Sequence, residues 1–130
     1  MAITHTLTRR VAIGGGTPLE SSIGYTGTGE VNVNGESVPD ATTDQLIVIA
    51  IDVSAIQSIY IISTKALTLE TNSATVPVDT IVLVADVPYI WHTGSYFTNL
   101  LGTDVTQIFL TNASGAAATF DLRCVYDATP

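Results

Sequence analysis

The sequence predicts an all-β domain, a jelly-roll-like β-sandwich of about eight strands with no substantial helix. The first observation is an aliphatic and largely β-branched stretch from Gln45 to Thr64, because such side chains fit the pleated surface of a strand. The second is turn chemistry that recurs at intervals of roughly ten residues. The third is that no stretch of three helical turns carries a convincing amphipathic pattern.

The strands follow in order from these patterns. An imperfectly alternating segment from Thr6 to Ile13 opens the chain, and Val31 to Val33 is predicted to be a strand that ends in a turn at Asn34-Gly35. Asp52 to Ala55 divides the aliphatic stretch into two runs of strand length, each too short to span a membrane. Further strands are predicted over 66–71, 80–85, 89–93, 105–111 and 119–126, the last two as a hairpin across 112–115.

A chain of 130 residues is one domain by length, and it can bury about two-thirds of its unfolded surface without disulfides or metals. Gly14 to Gly16 interrupts the opening strand. These glycines form either a flexible joint that lets the first residues reach a partner or a loop that needs positive φ angles. We therefore predict an N-terminal arm and opening strand over residues 1–16 and a single β-sandwich domain over residues 17–130.

Charge is scarce and mostly negative. Twelve acidic and four basic residues give a net charge of −8, which disfavours nucleic acids and anionic membranes as partners. Only 12% of the residues are charged and 46% are hydrophobic, so we expect part of the surface to be buried against other chains; a Thr- and Ser-rich surface is the alternative. Arg9 and Arg10 lie together, either to dock on an acidic neighbour or to pair with the chain's own carboxylates.

The residue chemistry predicts no enzyme, no cofactor and no metal site. The single cysteine, Cys124, lies in a predicted strand and is expected to be a buried thiol, and neither His5 nor His92 belongs to a catalytic or metal-binding signature. The glycine-rich segment from Gly24 to Gly29 lacks the following helix that a dinucleotide site requires. Asn112-Ala113-Ser114 matches a glycosylation sequon, but we interpret it as a turn.

The densest aromatic segment runs from Tyr89 to Phe97. Strand alternation places Tyr89 and Trp91 on one face, where they either fill the core or form an exposed surface for sugar rings or proteins. The first ten residues show no basic region followed by an apolar core and a cleavage site. We therefore expect cytoplasmic synthesis without a signal peptide.

Several phrases of the chain resemble those of small β-rich structural proteins of tailed bacteriophages, among them the capsid decoration, or cement, proteins. The likeness covers roughly the last two-thirds of the chain and two segments near its start. The phrases are Leu69-Glu70-Thr71-Asn72-Ser73, Pro88-Tyr89-Ile90-Trp91, Leu101 to Thr106, Leu110 to Gly115 and Thr119 to Arg123, with Thr8-Arg9-Arg10-Val11 and Ser22 to Glu30.

This resemblance implies a structural virion protein that assembles as a homodimer or homotrimer. It would bind the major capsid protein on the outer surface of an expanded phage head and stabilise the shell, after synthesis in the host cytoplasm. The alternatives are a carbohydrate- or receptor-binding sandwich and a tail or baseplate subunit. For partner contacts we predict the arm arginines and the aromatic segment, namely Arg9, Arg10, Tyr89, Trp91, Tyr96 and Phe97.

Overall fold

The computed structural model describes residues 2 to 128, and these residues form ten strands. The strands are β1 (Ile3–Val11), β2 (Leu19–Gly27), β3 (Gly29–Val38), β4 (Gln45–Ile51), β5 (Ile56–Ser63), β6 (Leu67–Thr71), β7 (Thr80–Leu83), β8 (Tyr89–His92), β9 (Val105–Thr111) and β10 (Ala118–Tyr126). A single 3-10 turn, Val53–Ala55, joins β4 to β5, and no α-helix occurs between residues 2 and 128.

Eight of the strands form a sandwich of two four-stranded antiparallel sheets. Sheet I has the order β3-β10-β5-β8 and sheet II the order β4-β9-β6-β7. Every connection from β3 onward crosses between the sheets except that from β6 to β7, which gives the strand order of a jelly roll. The predicted all-β sandwich is confirmed, and the remaining strands, β1 and β2, form a separate hairpin that raises the total from about eight to ten.

The core lies between the two sheets and is made by alternate residues of each strand. On β5 the side chains of Ile59 and Ile61 point inward, and on β10 those of Phe120 and Leu122 do the same. Cys124 continues this inward face and is fully buried, as the sequence predicted. Burial of these aliphatic side chains at about 25 cal/mol per Å² is the main stabilising term of the domain.

The predicted break in the aliphatic stretch is confirmed and has a local cause. The Asp52 carboxylate accepts hydrogen bonds from the Ser54 backbone N–H at 3.0 Å and from the Ser54 hydroxyl at 2.6 Å, which caps the 3-10 turn. The turn moves the chain from sheet II to sheet I, so the two halves of one aliphatic run contribute to opposite sides of the core.

The predicted turn at Asn34-Gly35 is wrong, because both residues lie inside β3. Together they oppose the single residue Asp121 of β10, which makes a β-bulge. Gly35 takes a φ of +61°, and its N–H donates to the Asp121 carboxylate at 2.8 Å. A turn dipeptide and this bulge both need a residue with positive φ, so local sequence did not distinguish them.

The predicted hairpin across 112–115 is also wrong, because β9 belongs to sheet II and β10 to sheet I. Asn112 is fully buried at this crossing. Its amide nitrogen donates to the carbonyl oxygens of Val38 at 3.0 Å and Ala116 at 2.8 Å. The side chain thus holds the corner between the two sheets, and its burial agrees with the turn interpretation of the sequon.

The hairpin of β1 and β2, which we call the arm, extends further than the sequence predicted. Gly14 to Gly16 lies in the loop at its tip, so the expected boundary at residue 16 falls inside the arm, which ends only at Gly27. At that residue the chain passes close to the body, because a Cβ on Gly27 would collide with the carbonyl oxygen of Tyr126. The arm therefore leaves the sandwich beside the end of β10.

Replacing Asn112 by Asp should destabilise the domain, because a carboxylate would then face backbone carbonyl oxygens in a buried corner. We expect a loss of about 3 kcal/mol in the free energy of unfolding, seen as a fall of roughly 10 °C in Tm by calorimetry. Ala113→Asp adds the same charge at the neighbouring exposed position and should change stability by less than about 0.5 kcal/mol. Equal melting of the two variants would contradict the role given to Asn112.

Candidate interaction surfaces

The arm has one polar face whose side chains bond to each other across the two strands. The hydroxyls of Thr4 and Thr26 lie 2.8 Å apart, and those of Thr8 and Ser22 lie 2.9 Å apart. Further out, Arg10 Nε lies 3.4 Å from Glu20 Oε2. Cross-strand pairs of this kind stabilise a two-stranded ribbon and set its register.

The opposite face of the arm is mainly apolar, and we call it the apolar arm face. It consists of the cross-strand pairs Leu7 with Ile23 and Val11 with Leu19, with Arg9 opposite Ser21 between them. Val11, Leu19 and Ile23 are exposed, Leu19 to 67%. Since an isolated two-stranded ribbon is only marginally stable in water, an apolar face that extends beyond the body is typical of an element that packs on a partner.

The base of the arm is attached to the outer face of sheet I. His5 Nε2 donates to Glu30 Oε2 at 2.7 Å, and the Tyr25 ring stacks on the His92 ring with centroids 5.1 Å apart. The hydrogen bonds from His5 and Asn32 hold the pKa of the Glu30 carboxyl below its usual value. This attachment is therefore stabilising at neutral pH and weakens as the pH falls through that lowered pKa.

A second exposed apolar surface is the outer face of sheet II. It carries Leu46 and Val48 of β4, Phe109 of β9 and Val82 of β7, and Val48 is 78% exposed. Its four strands contain one charged residue, Glu70 of β6. The outward positions of β4 are apolar, where a solvent-facing strand normally alternates with polar residues, and Thr68, Thr80 and Thr111 lie among the apolar side chains of the other strands.

Sequence reasoning did not identify this face as a candidate interaction surface. The signal was available in β4, where Leu46, Val48 and Ala50 alternate with inward-facing aliphatic residues. A run that is apolar on both sides indicates a strand covered on both faces. The same pattern also fits any buried strand, so only the sheet assignment reveals which side lies uncovered.

The structure divides the predicted aromatic segment in two. Tyr89 and Trp91 are half-buried and pack against the core. Trp91 Nε1 donates to the Phe97 carbonyl oxygen at 2.9 Å, and the Tyr89 hydroxyl accepts from the Leu100 N–H at 2.9 Å. Both rings thus anchor the loop 93–104, which we call the aromatic loop.

The aromatic loop itself presents apolar side chains to solvent. Tyr96 is 100% exposed, and Phe97 and Leu100 are also exposed. Of the six residues predicted to contact a partner, four are therefore on the outside, Arg9 and Arg10 in the arm and Tyr96 and Phe97 in this loop. Tyr89 and Trp91 face the core. The two exposed pairs, the arginines of the arm and the aromatic residues of the loop, lie on different elements.

Within residues 2 to 128, the nucleophilic and ligating side chains are not clustered. Burial raises the pKa of the Cys124 thiol to about 12, which keeps it protonated at neutral pH. The His92 ring bonds to the Thr93 carbonyl oxygen, and the His5 ring bonds to Glu30. The described part of the chain has no group of three His, Cys, Asp or Glu side chains placed to hold a metal, and no helix that could cross a bilayer.

Comparison of the chain with models of protein families, with curated proteins and with solved structures finds no match. The resemblance to phage decoration proteins stays a prediction from the sequence.

Replacing Trp91 by Ala should lower stability by about 2 to 4 kcal/mol, because it removes a ring that packs on the core and releases the hydrogen bond to Phe97. Thermal unfolding followed by circular dichroism measures the effect. Tyr96→Ala is the matched control, since that ring is fully exposed, and it should leave Tm unchanged within about 2 °C. If both variants melt alike, Trp91 is not an anchor of the aromatic loop.

Proposed function

We propose that this protein is a structural subunit of a phage particle, a decoration protein that binds the outer surface of the capsid and stabilises the shell. The observation that supports this proposal most directly is the arm, a projecting hairpin with an exposed apolar face on a sandwich whose own core is already complete. A projecting element of this kind suits contact with a neighbouring subunit. The resemblance of several phrases to those of decoration proteins is the reason for proposing a phage particle.

The energetics of shell stabilisation are consistent with these surfaces. A protein that binds the assembled shell and not its separate subunits stabilises the shell by mass action. Several weak contacts per copy, each made by a different surface, add through avidity. The arm, the outer face of sheet II and the aromatic loop are three such exposed apolar surfaces on different elements.

Electron microscopy of immunogold-labelled particles, released from the cells that encode this chain, tests the proposal. An antibody raised against the purified protein should label the heads at many sites. Labelling confined to tails would assign the chain to the tail or baseplate instead. Particles that contain none of the protein by mass spectrometry would overturn a structural role in the virion.

A carbohydrate- or receptor-binding module is the second candidate, favoured by the exposed rings of Tyr96 and Phe97. Such rings stack on sugar faces and serve as interface anchors. A glycan array with the wild type and with Phe97→Ala separates the two functions. Binding that the substitution abolishes, in a protein absent from heads, would establish this second function.

A further inference from the structure

Two exposed surfaces of this chain, the apolar arm face and the outer face of sheet II, carry opposite charges. In one copy they lie on different sides of the sandwich, because the base of the arm is attached to sheet I. We propose that the apolar arm face of one copy packs on the outer face of sheet II of a second copy, with Arg9 of the first paired with Glu70 of the second. This inference concerns the contact between copies, whatever larger particle they join.

On the arm, Arg9 is the only charged residue of the apolar face. Its neighbour Arg10 points to the opposite face and is paired with Glu20. Among residues 2 to 128, the Arg9 guanidinium has no hydrogen-bond partner or counter-ion. A guanidinium placed between two apolar pairs, Leu7 with Ile23 and Val11 with Leu19, calls for an acceptor on whatever covers that face.

On sheet II, Glu70 occupies the corresponding position. It lies on the inner strand β6, in a row that runs across the sheet from Leu46 through Phe109 and Glu70 to Thr80. The part of the chain that the structure describes provides no hydrogen-bond partner or counter-ion for its carboxylate. Glu70 thus lies between Phe109 and Thr80, an unpaired acid on a face without other charges, and it matches the unpaired base of the apolar arm face.

The two surfaces also agree in size. The arm from Leu7 to Val11 covers about 13 Å at the usual rise per strand residue. Sheet II, with four strands, is about 14 Å wide between its outer strands. With Arg9 over Glu70 on β6, the two apolar pairs of an arm laid across the sheet lie about 7 Å to either side, one between β4 and β9 and the other beside β7.

The charge inventory favours a second copy of this chain as the occupant. The four basic residues are Arg9, Arg10, Lys65 and Arg123, against twelve acids. Arg10 is paired within the arm, and Arg123 donates to the carbonyl oxygens of Val33 at 2.9 Å and Leu122 at 3.1 Å. A copy of this chain thus supplies an unpaired base at the centre of an apolar ribbon that fits the unpaired acid.

The contact joins two unlike surfaces, so each copy can donate one arm and accept one arm. Such heterologous contacts form a ring when the rotation between copies closes and an open chain of copies when it does not, and two arms exchanged reciprocally form a dimer. The same arm already covers part of its own sheet I through Tyr25 and His5, so one element would cover sheet surface on two copies.

Light scattering coupled to size exclusion, over a wide concentration range, tests the proposal with the full chain. The wild type should elute at a multiple of 13.6 kDa. Arg9→Glu and Glu70→Arg should each weaken association by at least about tenfold, because each places like charges together at the centre of the contact. The double variant, with the charges exchanged, should recover to within about threefold of the wild type.

Two matched controls locate the contact. Arg10→Glu makes the same charge change on the polar face of the arm and should not rescue Glu70→Arg. Val48→Asp should weaken association, whereas Val76→Asp should not, since Val76 is as exposed, 76% against 78%, but lies in the loop between β6 and β7. Far-ultraviolet circular dichroism checks that each variant remains folded.

A wild type that stays monomeric up to about 1 mM would overturn the contact, as would association that both single charge reversals leave intact. Equal rescue of Glu70→Arg by either arginine variant would also overturn it, because net charge and not a specific pair would then control association. These results are independent of particle labelling. Copies that exchange arms but do not label heads would leave this contact standing and remove the decoration role.

Discussion

The whole structure depends on the placement of the last strand at the centre of sheet I. β10 pairs with β3 on one side and β5 on the other, although β3 lies about ninety residues earlier in the chain. Its inward side chains, Phe120 and Leu122 among them, are fully buried between the sheets. On its outer side, Val125 is buried beneath the base of the arm. The core and the arm attachment therefore both form only when the end of the chain is in position.

A β-sandwich needs one apolar face on each sheet, and this chain carries more. On sheet I the base of the arm covers part of the outer face, so that Val125 and Ser58 are buried there. On sheet II the outer face is uncovered, with Val48 and Val82 exposed. The exposed apolar side chains of this weakly charged chain are thus grouped on particular faces, and grouped exposed apolar side chains are typical of surfaces that contact partners.

Two of the three candidate interaction surfaces, the arm and the aromatic loop, were partly predictable from the sequence. The unpaired Arg9 and the exposed Tyr96 belong to segments that composition had marked, because clustered bases and dense aromatics stand out in a chain with little of either. The outer face of sheet II was not predictable, since Leu46 and Val48 look like core residues in any strand that is apolar on both sides. Glu70 is identified as part of this face only by the strand pairing, which places it between Phe109 and Thr80.

The sequence by itself determined the all-β class, most strand positions and the burial of Cys124, because side-chain shape and alternation act over a few residues. Only the tertiary structure decided how the strands are joined. Asn34-Gly35 became a bulge opposite Asp121, and Asn112 became a buried corner between sheets instead of a hairpin turn. Both local sequences allow either outcome, and the choice depends on partners roughly seventy to ninety residues away, which no local pattern records.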